Sequence, residues 1–536
     1  MHQVKYIDCF ASVERWSGKD SEAPWTVEKM LFDMERCRIH GALIYSNLAK
    51  ELQPSVGNKF VADLCQKNPR LIPCWVALPH HCQEMSDGPK FVEEMLEIGV
   101  KAVKLFPKMH KYLLNDGTIG LLLSALQDAE IPVIFDRGEH EPEVQQIDWE
   151  EIQSLGTKYP ELKVILHGVR WEASRYLLPL LQQFPNLYFD FSNHQGNRII
   201  EFLVEKLGSD QLLFGTQMMQ KSPGAAKAFI DYADIDDKDR RKIAGENLIQ
   251  LLKLDTIPSD YPDDHTEDMI LQKARQAEAI DDMEVIDSHA HINEQGHSDN
   301  VIAFMPKSDA AGVVERNRRI GVDITCVSSW TGIWSDYNRG NKITYQAIID
   351  FPKNIIGYAT LDPNYVQDWH AELNRCYEKY GMKGLKPYYP RNKVPYNDPR
   401  YESWFSYGNK YKLFALMHFS DNFIDEMEEL ASKYPELSFL LAHSGMTYET
   451  ARKHVELAKK FRNVFLEITY TSVTNGVIEY MVKQAGSEKV IYGSDTAMRD
   501  PIPQFGWVAY ADITESDKRN ILGRNMRKII ERCFAK

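Results

Sequence analysis

Four histidines and one aspartate in the second half of the chain have the types and positions that a metal site needs. His289 and His291 form a His-x-His pair, and His418, His443 and Asp495 each end a short apolar run. Imidazole and carboxylate groups are the usual ligands of Zn²⁺ and similar first-row divalent ions. Such an ion lowers the pKa of a bound water from about 15.7 toward about 7. These residues therefore predict a hydrolytic metal centre.

Short strands must bring these residues together. In this half, β-branched and aromatic runs alternate with amphipathic stretches, which is the pattern of parallel βα units. The predicted strands are 285–292, 323–328, 355–361, 383–388, 413–419, 439–443, 464–469 and 490–494. Eight such strands predict a closed (β/α)8 barrel with its active site at the carboxyl ends of the strands, and a doubly wound open sheet is the alternative. Because side chains alternate along a strand, His289 and His291 face the same side.

The chain repeats itself once, at the scale of a whole domain. Residues 157–168 match residues 432–443 around a shared Lys-Tyr-Pro-Glu-Leu segment, and residues 99–104 match 381–386 at nearly the same offset. We therefore predict an α/β protein of two tandem (β/α)8 TIM-type barrels, residues 1–254 and 284–536. Residues 255–283 between them are predicted to be an acidic linker followed by a connecting helix.

The first copy lacks the residues that would bind a metal. Alignment of the copies gives these correspondences: Phe10 for His289, Ser12 for His291, Asp136 for His418, Thr216 for Asp495 and, as the one histidine kept, His167 for His443. Phenylalanine cannot bind a metal, and the remaining donors are too few for a catalytic zinc site. The first barrel is therefore predicted to be non-catalytic, with a structural role or, alternatively, a binding function of its own.

The order His-x-His, His, His and Asp on strands 1, 5, 6 and 8 resembles the amidohydrolase superfamily. Within it, Leu-Ala-His443-Ser-Gly and Tyr-Gly-Ser-Asp495 resemble the amidohydrolase-related (amidohydrolase 2) family, and the resemblance covers essentially all of residues 284–536. It implies that His289, His291, His418 and Asp495 bind one divalent ion, with zinc expected and manganese or another first-row ion as alternatives. It also implies catalytic roles for Asp495 and for His443, as a base or in polarising the substrate.

Two charged residues near the predicted site have more than one interpretation. Lys386 pairs with a substrate carboxylate or, in a two-metal enzyme with His443 on the second ion, is a carboxylated bridge between the metals. Glu467 lies inside the predicted strand 464–469 without ending it cleanly. It is either a core partner of Lys386 or a group that orients a ligand histidine, and a purely structural role is equally open.

Loops after the strands carry residues suited to a planar or ring-shaped substrate with a carboxylate. Arg binds carboxylates bidentately, and aromatic walls suit rings. The candidate substrate-binding residues are Lys386, Arg391, Tyr388, Trp330 and Arg499. We therefore expect hydrolysis of an ester, lactone or amide bond through a metal-activated water, with Asp495 or His443 taking the proton. The alternatives are nonoxidative decarboxylation of a small aromatic or unsaturated acid and, in another class, a non-catalytic binding or scaffold protein.

Composition and charge limit the expected cellular location of the protein and the classes of partner that it binds. The formal charge of −14 disfavours nonspecific binding to nucleic acid or anionic membranes. The sequence has neither a long apolar run nor the apolar stretch of a signal peptide, and its eight cysteines form no CxxC pair. We expect a cytoplasmic protein with free thiols and a small-molecule substrate, without nucleic acid or membrane partners, and self-association into a homo-oligomer stays open.

Overall fold

The computed structural model describes residues 4–138, 145–255, 266–297, 299–470 and 473–535. The chain divides into two units, Met1–His265 with Ile302–Phe304, and Thr266–Val301 with Met305–Lys536. Each unit holds one sheet of eight strands in sequential order, and neighbouring strands pair in parallel. The predicted acidic linker falls largely on residues 256–265, outside the described ranges, whereas a helix, α12 (Met269–Gln276), lies in the predicted connection.

The first barrel alternates strands with helices. Its strands are β1 (Ile7–Val13), β2 (Gly41–Ser46), β3 (Leu71–Val76), β4 (Ala102–Leu105), β5 (Val133–Asp136), β6 (Val164–His167), β7 (Leu187–Asp190) and β8 (Leu212–Leu213). Its α-helices are α1 (Val27–Cys37), α2 (Asn47–Glu51), α3 (Pro54–Lys67), α4 (Gly88–Ile98), α5 (Asp116–Asp128), α6 (Trp149–Lys158), α7 (Ser174–Gln183), α8 (Ile199–Leu207), α9 (Pro223–Asp231), α10 (Asp237–Arg241) and α11 (Asn247–Leu251). Short 3₁₀ turns cover His80–Cys82 and Trp171–Ala173, and a π-helical turn covers Lys242–Glu246.

The second barrel has the same alternation. Its strands are β9 (Val285–Ile292), β10 (Val322–Ser329), β11 (Ile355–Ala359), β12 (Gly384–Leu385), β13 (Phe414–Met417), β14 (Ser438–Leu441), β15 (Val464–Glu467) and β16 (Val490–Ile491). Its α-helices are α13 (Ala310–Arg318), α14 (Trp330–Trp334), α15 (Tyr337–Asp350), α16 (Trp369–Leu373), α17 (Tyr389–Asn392), α18 (Glu402–Lys410), α19 (Phe423–Lys433), α20 (Tyr448–Lys460), α21 (Val477–Ala485), α22 (Pro501–Ala509), α23 (Glu515–Arg519) and α24 (Asn525–Arg532). Pro399–Tyr401 and Ser487–Lys489 are 3₁₀ turns, and Asn374–Lys379 and Asn520–Arg524 are π-helical turns.

Hydrogen bonds between the first strand and the segment after the last strand close each sheet. In the first barrel, Cys9 N donates to Phe214 O at 2.9 Å. In the second, Ser288 N donates to Tyr492 O at 3.0 Å, and Asp495 N donates to His289 O at 2.7 Å. This closure excludes the open doubly wound sheet and confirms the prediction of two tandem TIM-type barrels. Among the residues that the structure describes, no helix has the length and apolar composition to cross a membrane.

In the second barrel, the first strand matches its prediction, the second extends one residue further at each end (Val322–Ser329), and the other six are shorter than predicted. β12 stops at Leu385, so Lys386 follows the strand instead of lying within it. β14 and β16 likewise end before His443 and Asp495. The expectation that Glu467 ends no strand cleanly is wrong, because Glu467 is the last residue of β15. The apolar pattern continues beyond the point where inter-strand bonding stops, which is why sequence alone overestimates strand length.

A buried aspartate at the start of each barrel holds the last strand in register with the first. Asp287 accepts hydrogen bonds from Ser494 N at 3.0 Å and from Ser494 Oγ at 2.5 Å. Asp8 accepts from Thr216 N at 3.0 Å and also from the hydroxyl of Thr216. Burial raises the pKa of both carboxyls to about 7, and these hydrogen bonds oppose that shift. The same polar contact therefore closes both barrels.

A fully buried ion pair between Arg316 and Asp500 generates a stability prediction for the second barrel. Arg316 Nε and Nη2 lie 2.8 Å and 2.7 Å from Asp500 Oδ2, and both side chains have 0% exposure. Arg316→Met leaves Asp500 buried without its cation, so the free energy of unfolding should fall by about 3–5 kcal/mol. Urea denaturation measures this. Arg339→Met is the control, because the Arg339–Glu294 pair is exposed and should contribute less than about 1 kcal/mol. Equal losses would contradict the prediction.

Candidate metal centre

Three of the predicted metal ligands lie together at the carboxyl ends of the strands in the second barrel, which we call its mouth. His291 Nε2 is 3.3 Å from Asp495 Oδ1, and His289 Nε2 is 3.8 Å from the same oxygen. One donor atom from each of these residues lies within 4.8 Å of the others. All three side chains are buried. Two imidazoles and one carboxylate in this arrangement fit a divalent cation.

The other two predicted histidines border this trio. The His443 ring centroid is 5.3 Å from that of His289 and 4.9 Å from that of His418. His289, His443 and Glu467 form a second compact donor group. His418 Nδ1 is buried and has no hydrogen-bond partner among the described atoms. A buried polar atom of this kind is unfavourable unless a ligand satisfies it, so His418 fits the predicted role of fourth metal donor.

Two of the candidate catalytic residues have an unusual backbone conformation. His443 has φ 62° and Asp495 has φ 64°, in the left-handed region that residues other than glycine rarely adopt. Such strain costs of order 1–3 kcal/mol per residue and persists only where the surroundings enforce it. Asp495 N donates to His289 O at 2.7 Å, and His443 N donates to Glu467 Oε2 at 3.4 Å. These contacts hold both backbones in place.

The electrostatics of the mouth favour the protonation states of metal ligands. Burial lowers the pKa of His289, His291 and His418, with the charge of Lys386 adding to the effect. Burial opposes ionisation of Asp495, but its contact with His291 and the charge of Arg499 favour the carboxylate form, and its pKa lies well below the ordinary value. Neutral imidazoles and an ionised carboxylate are the forms that bind metal.

Contacts at Nδ1 orient His289 and His291, the two histidines of β9. His289 Nδ1 is 2.9 Å from Glu467 Oε2, and His291 Nδ1 is 2.9 Å from Ser328 Oγ. Because these partners engage Nδ1, the Nε2 atoms are left for a ligand. Of the two specific roles predicted for Glu467, its contacts favour orienting a ligand histidine over pairing with Lys386. Ser328 was not singled out from the sequence, although its position at the end of the predicted second strand was a usable signal.

Lys386 lies beside the donor set. Its Nζ is 3.2 Å from His289 Nε2, and the side chain is buried. Burial lowers the pKa of Lys386 to about 8, while the charges of Asp495 and Glu467 oppose that shift. This position suits either predicted role, so pairing with a substrate carboxylate and bridging two metals both stay predictions.

The predicted substrate-binding residues divide into two groups. Trp330 packs on His291 with ring centroids 4.4 Å apart, and Tyr388 contacts His418 at 5.2 Å. Arg499 is buried, with its guanidinium 5.1 Å from the ring centroid of Tyr470. These side chains line the mouth. Arg391, in contrast, is exposed and lies 3.2 Å over the ring of Trp334, outside these contacts with the donor residues.

Sequence comparison assigns the family. The amidohydrolase family model matches residues 8–254 and, again, residues 286–531. The chain belongs to the amidohydrolase family. This amidohydrolase thus carries the family domain twice, which confirms the resemblance and agrees with the internal repeat and the two barrels.

Among solved structures, the similarity of this amidohydrolase extends to proteins with several activities. The 5-carboxyvanillate decarboxylase of Sphingomonas paucimobilis is 16% identical over 46% of this chain and 99% of its own, with a TM-score of 0.36. The 2,6-dihydroxybenzoate decarboxylase of Rhizobium is 13% identical over 46% and 99%, with a TM-score of 0.38. The 4-oxalomesaconate hydratase of Rhodopseudomonas palustris is 18% identical over 46% and 96%, with a TM-score of 0.35. Among curated protein sequences, none matches this chain.

The structure corrects which residue in the first barrel of this amidohydrolase corresponds to Asp495. Thr216 N and its hydroxyl bind Asp8 in the way that Ser494 binds Asp287, so Thr216 corresponds to Ser494. The next residue, Gln217, has φ 58° and takes the place of Asp495. The predicted correspondence of Thr216 with Asp495 is therefore wrong by one residue.

The counterpart of His443 is also shifted by one residue. Gly168 N donates to Asp190 Oδ2 at 3.1 Å, as His443 N donates to Glu467, and both backbones are left-handed, with φ 70° and 62°. Gly168 is therefore the equivalent of His443, and His167 precedes it as the last residue of β6. The prediction that this histidine is kept is wrong. Of the five donor positions, only that of His418 keeps a group that commonly binds metal, the carboxylate of Asp136, which strengthens the prediction that the first copy is non-catalytic.

The donor geometry predicts the effect of removing a ligand. His289→Ala deletes one of the three clustered donors, so bound metal should fall from a single ion per chain to near none. Elemental analysis after dialysis measures this. His110→Gln, which changes a half-buried histidine of the first barrel, is the control and should keep its metal. Metal content that is unchanged in His289→Ala would contradict the assignment.

A second prediction concerns the residue that orients His289. Glu467→Gln keeps the side-chain size but removes the charge that faces His289 Nδ1, so metal affinity should fall about 10–100-fold. Competition with a chelator measures the change. Unaltered affinity in Glu467→Gln would show that the contact does not position the ligand.

Proposed function

We propose that the second barrel is a metal-dependent hydrolase that acts on an ester, lactone or amide bond of a small carboxylated or ring-containing substrate. The observation that supports this most is the compact group of His289, His291 and Asp495 at the mouth. His418, with its unsatisfied buried nitrogen, completes the proposed ligand set. Zn²⁺ is the expected ion, with Mn²⁺ or another first-row ion as alternatives. When bound, it supplies a Lewis acid and lowers the pKa of a water.

His443 and Asp495 are the residues proposed to move protons. His443 Nδ1 donates to Thr469 O at 2.7 Å, because a carbonyl oxygen can only accept. The Nε2 atom of the neutral ring therefore carries a lone pair. Asp495 is ionised, and its Oδ1 lies 3.3 Å from His291 Nε2. Either group can take the proton that a nucleophilic water releases and return it to the leaving group.

The proposed substrate carries a carboxylate next to a planar part. Arg499 is buried in the mouth near Tyr470, and a guanidinium in such a position binds a carboxylate through two parallel hydrogen bonds. Trp330 and Tyr388 contribute flat walls beside His291 and His418. These features support a small-molecule substrate with a ring or a conjugated system.

A second candidate is nonoxidative decarboxylation of a small aromatic or unsaturated acid. The presence of two buried cationic side chains, Arg499 and Lys386, close to the aromatic walls favours this alternative. His443 or Asp495 would first take a proton from a water molecule, the carbon–carboxylate bond would then break with release of CO₂, and the same residue would give that proton to the substrate carbon. The same residues serve both candidates, so an experiment must separate them.

Product analysis distinguishes the two reactions. The metal-loaded protein is incubated with aromatic and unsaturated acids and with related lactones, esters and amides, and the products are measured by mass spectrometry together with CO₂ release. Hydrolysis adds the elements of one water and releases no CO₂, whereas decarboxylation releases one CO₂ per substrate. His289→Ala is the matched inactive control. A protein that binds no metal and turns over no compound beyond this control would support the binding or scaffold alternative.

The two arginines proposed for substrate binding generate a further prediction. Arg499→Met removes the buried cation, so KM for a carboxylated substrate should rise about 10–100-fold, as expected for a lost charged hydrogen bond. Arg391→Met should change KM little, because Arg391 is exposed and packs on Trp334. Steady-state kinetics of both variants check this. A larger effect at Arg391 than at Arg499 would contradict the assignment.

A further inference from the structure

The first barrel has lost the metal donors but keeps a lysine beside their positions. Lys104 lies in β4, and the matching segments 99–104 and 381–386 make it the counterpart of Lys386. Lys104 has 0% exposure. A lysine is almost never fully buried unless its charge is paired, so the surroundings of this ammonium need an explanation.

Four side chains enclose the ammonium of Lys104. Its Nζ lies 2.6 Å from Asp136 Oδ1 and 3.0 Å from His167 Nδ1. The same atom is 4.2 Å from the ring centroid of Phe10 and 4.3 Å from that of Tyr45. Aromatic faces attract cations, and a carboxylate oxygen at 2.6 Å forms a close ion pair with the ammonium. These groups together form a binding site for a positive charge.

Two of the enclosing residues stand at former ligand positions. Phe10 replaces His289, and Asp136 replaces His418. A phenyl ring has no lone pair for a metal, but its face binds an ammonium. Two positions that carry predicted metal ligands in the second barrel thus carry partners of the Lys104 ammonium in the first.

The mouth of the first barrel needs a cation because it buries several carboxyl groups. Asp8, Asp136 and Asp190 are all buried. Burial raises the pKa of Asp190, and the charge of Lys104 is among the interactions that oppose the shift. Burial also lowers the pKa of Lys104 itself, and Asp136 opposes that change. Carboxylates removed from water are strongly unfavourable unless a positive charge compensates them.

We infer that the ammonium of Lys104 takes the place of a metal ion at the mouth of the first barrel. This barrel then holds its shape without metal, and the metal bound by the chain lies in the second barrel.

A competing arrangement is available in the same space. Cys9, His167 and Asp190 each offer one donor atom, and these atoms lie within 4.8 Å of one another. However, the Nδ1 atom of His167 already contacts Lys104, which leaves only Nε2, a buried atom without a hydrogen-bond partner among the described residues. Burial also raises the pKa of the Cys9 thiol well above its ordinary value, and the protonated thiol is a poor metal ligand. This trio is the alternative that the first experiment tests.

Metal content separates the two arrangements. The full chain is loaded with Zn²⁺ or Mn²⁺, dialysed and analysed for bound ions, as the wild type and as His289→Ala/His291→Ala. The double variant should retain no ion. An ion that remains in the double variant and disappears on adding Cys9→Ser would overturn the inference. If the wild type also binds no metal, the proposed function is wrong. The second experiment then decides the role of Lys104.

The second experiment tests the charge of Lys104 directly. Hydrogen exchange of peptides from residues 1–254, measured across a urea series, follows the unfolding of this barrel within the full chain. Lys104→Met should unfold at lower urea than the wild type, because Asp136 loses its cation. Lys104→Met/Asp136→Leu should recover stability, because neither charge is then buried. A chelator should leave the wild-type midpoint of these peptides unchanged.

An exposed lysine serves as the matched control. Lys108 pairs with Asp148 at 2.7 Å, and both side chains are well exposed. Lys108→Met should therefore stay close to the wild type. The inference is overturned if Lys104→Met is as stable as Lys108→Met, or if the double variant is no more stable than the single one. If Lys104→Met alone fails to fold, a folded double variant still supports the inference.

Discussion

The candidate site depends on the closure of the second barrel. Asp287 at the start of the domain binds the backbone and hydroxyl of Ser494 near its end, and Asp495 N donates to His289 O. These contacts join segments about two hundred residues apart in sequence. Closing so long a loop carries an entropic cost that only the complete set of βα units offsets. Closure of the barrel thereby brings Asp495 next to His289 and His291.

Contacts with neighbouring side chains organise the donor group. Glu467 and Ser328 orient the two histidines of β9, and burial keeps their rings neutral. Asp495, in a left-handed conformation, remains ionised among them. Ligands arranged in advance reduce the ordering that metal binding requires. The left-handed backbone at His443 and Asp495 is energetically unfavourable. Residues held in such rare conformations tend to occur at functional sites.

The two barrels share one fold but carry different residues at their mouths. The aspartate that closes the barrel is common to both, as is the lysine that lies in the fourth strand of the first barrel and directly after it in the second, whereas the donors at the strand ends differ. In the first barrel, Lys104 contacts a carboxylate and two aromatic rings, and in the second, Lys386 contacts a histidine. Residues that maintain the barrel are thus separable from residues at its mouth, as is typical of this architecture.

The sequence by itself determined the repeat, the barrel architecture, the family and the His-x-His pair, because periodicity and motif identity are local properties of the chain. Only the tertiary structure decided which side chains meet at each mouth. Hydrogen bonds across the barrel make Gln217 the counterpart of Asp495 and Gly168 that of His443, and the second pair agrees with the match of residues 157–168 to residues 432–443. Likewise, the contact of Glu467 with His289 and the exposure of Arg391 depend on neighbours that are distant in sequence, and no local pattern encodes them.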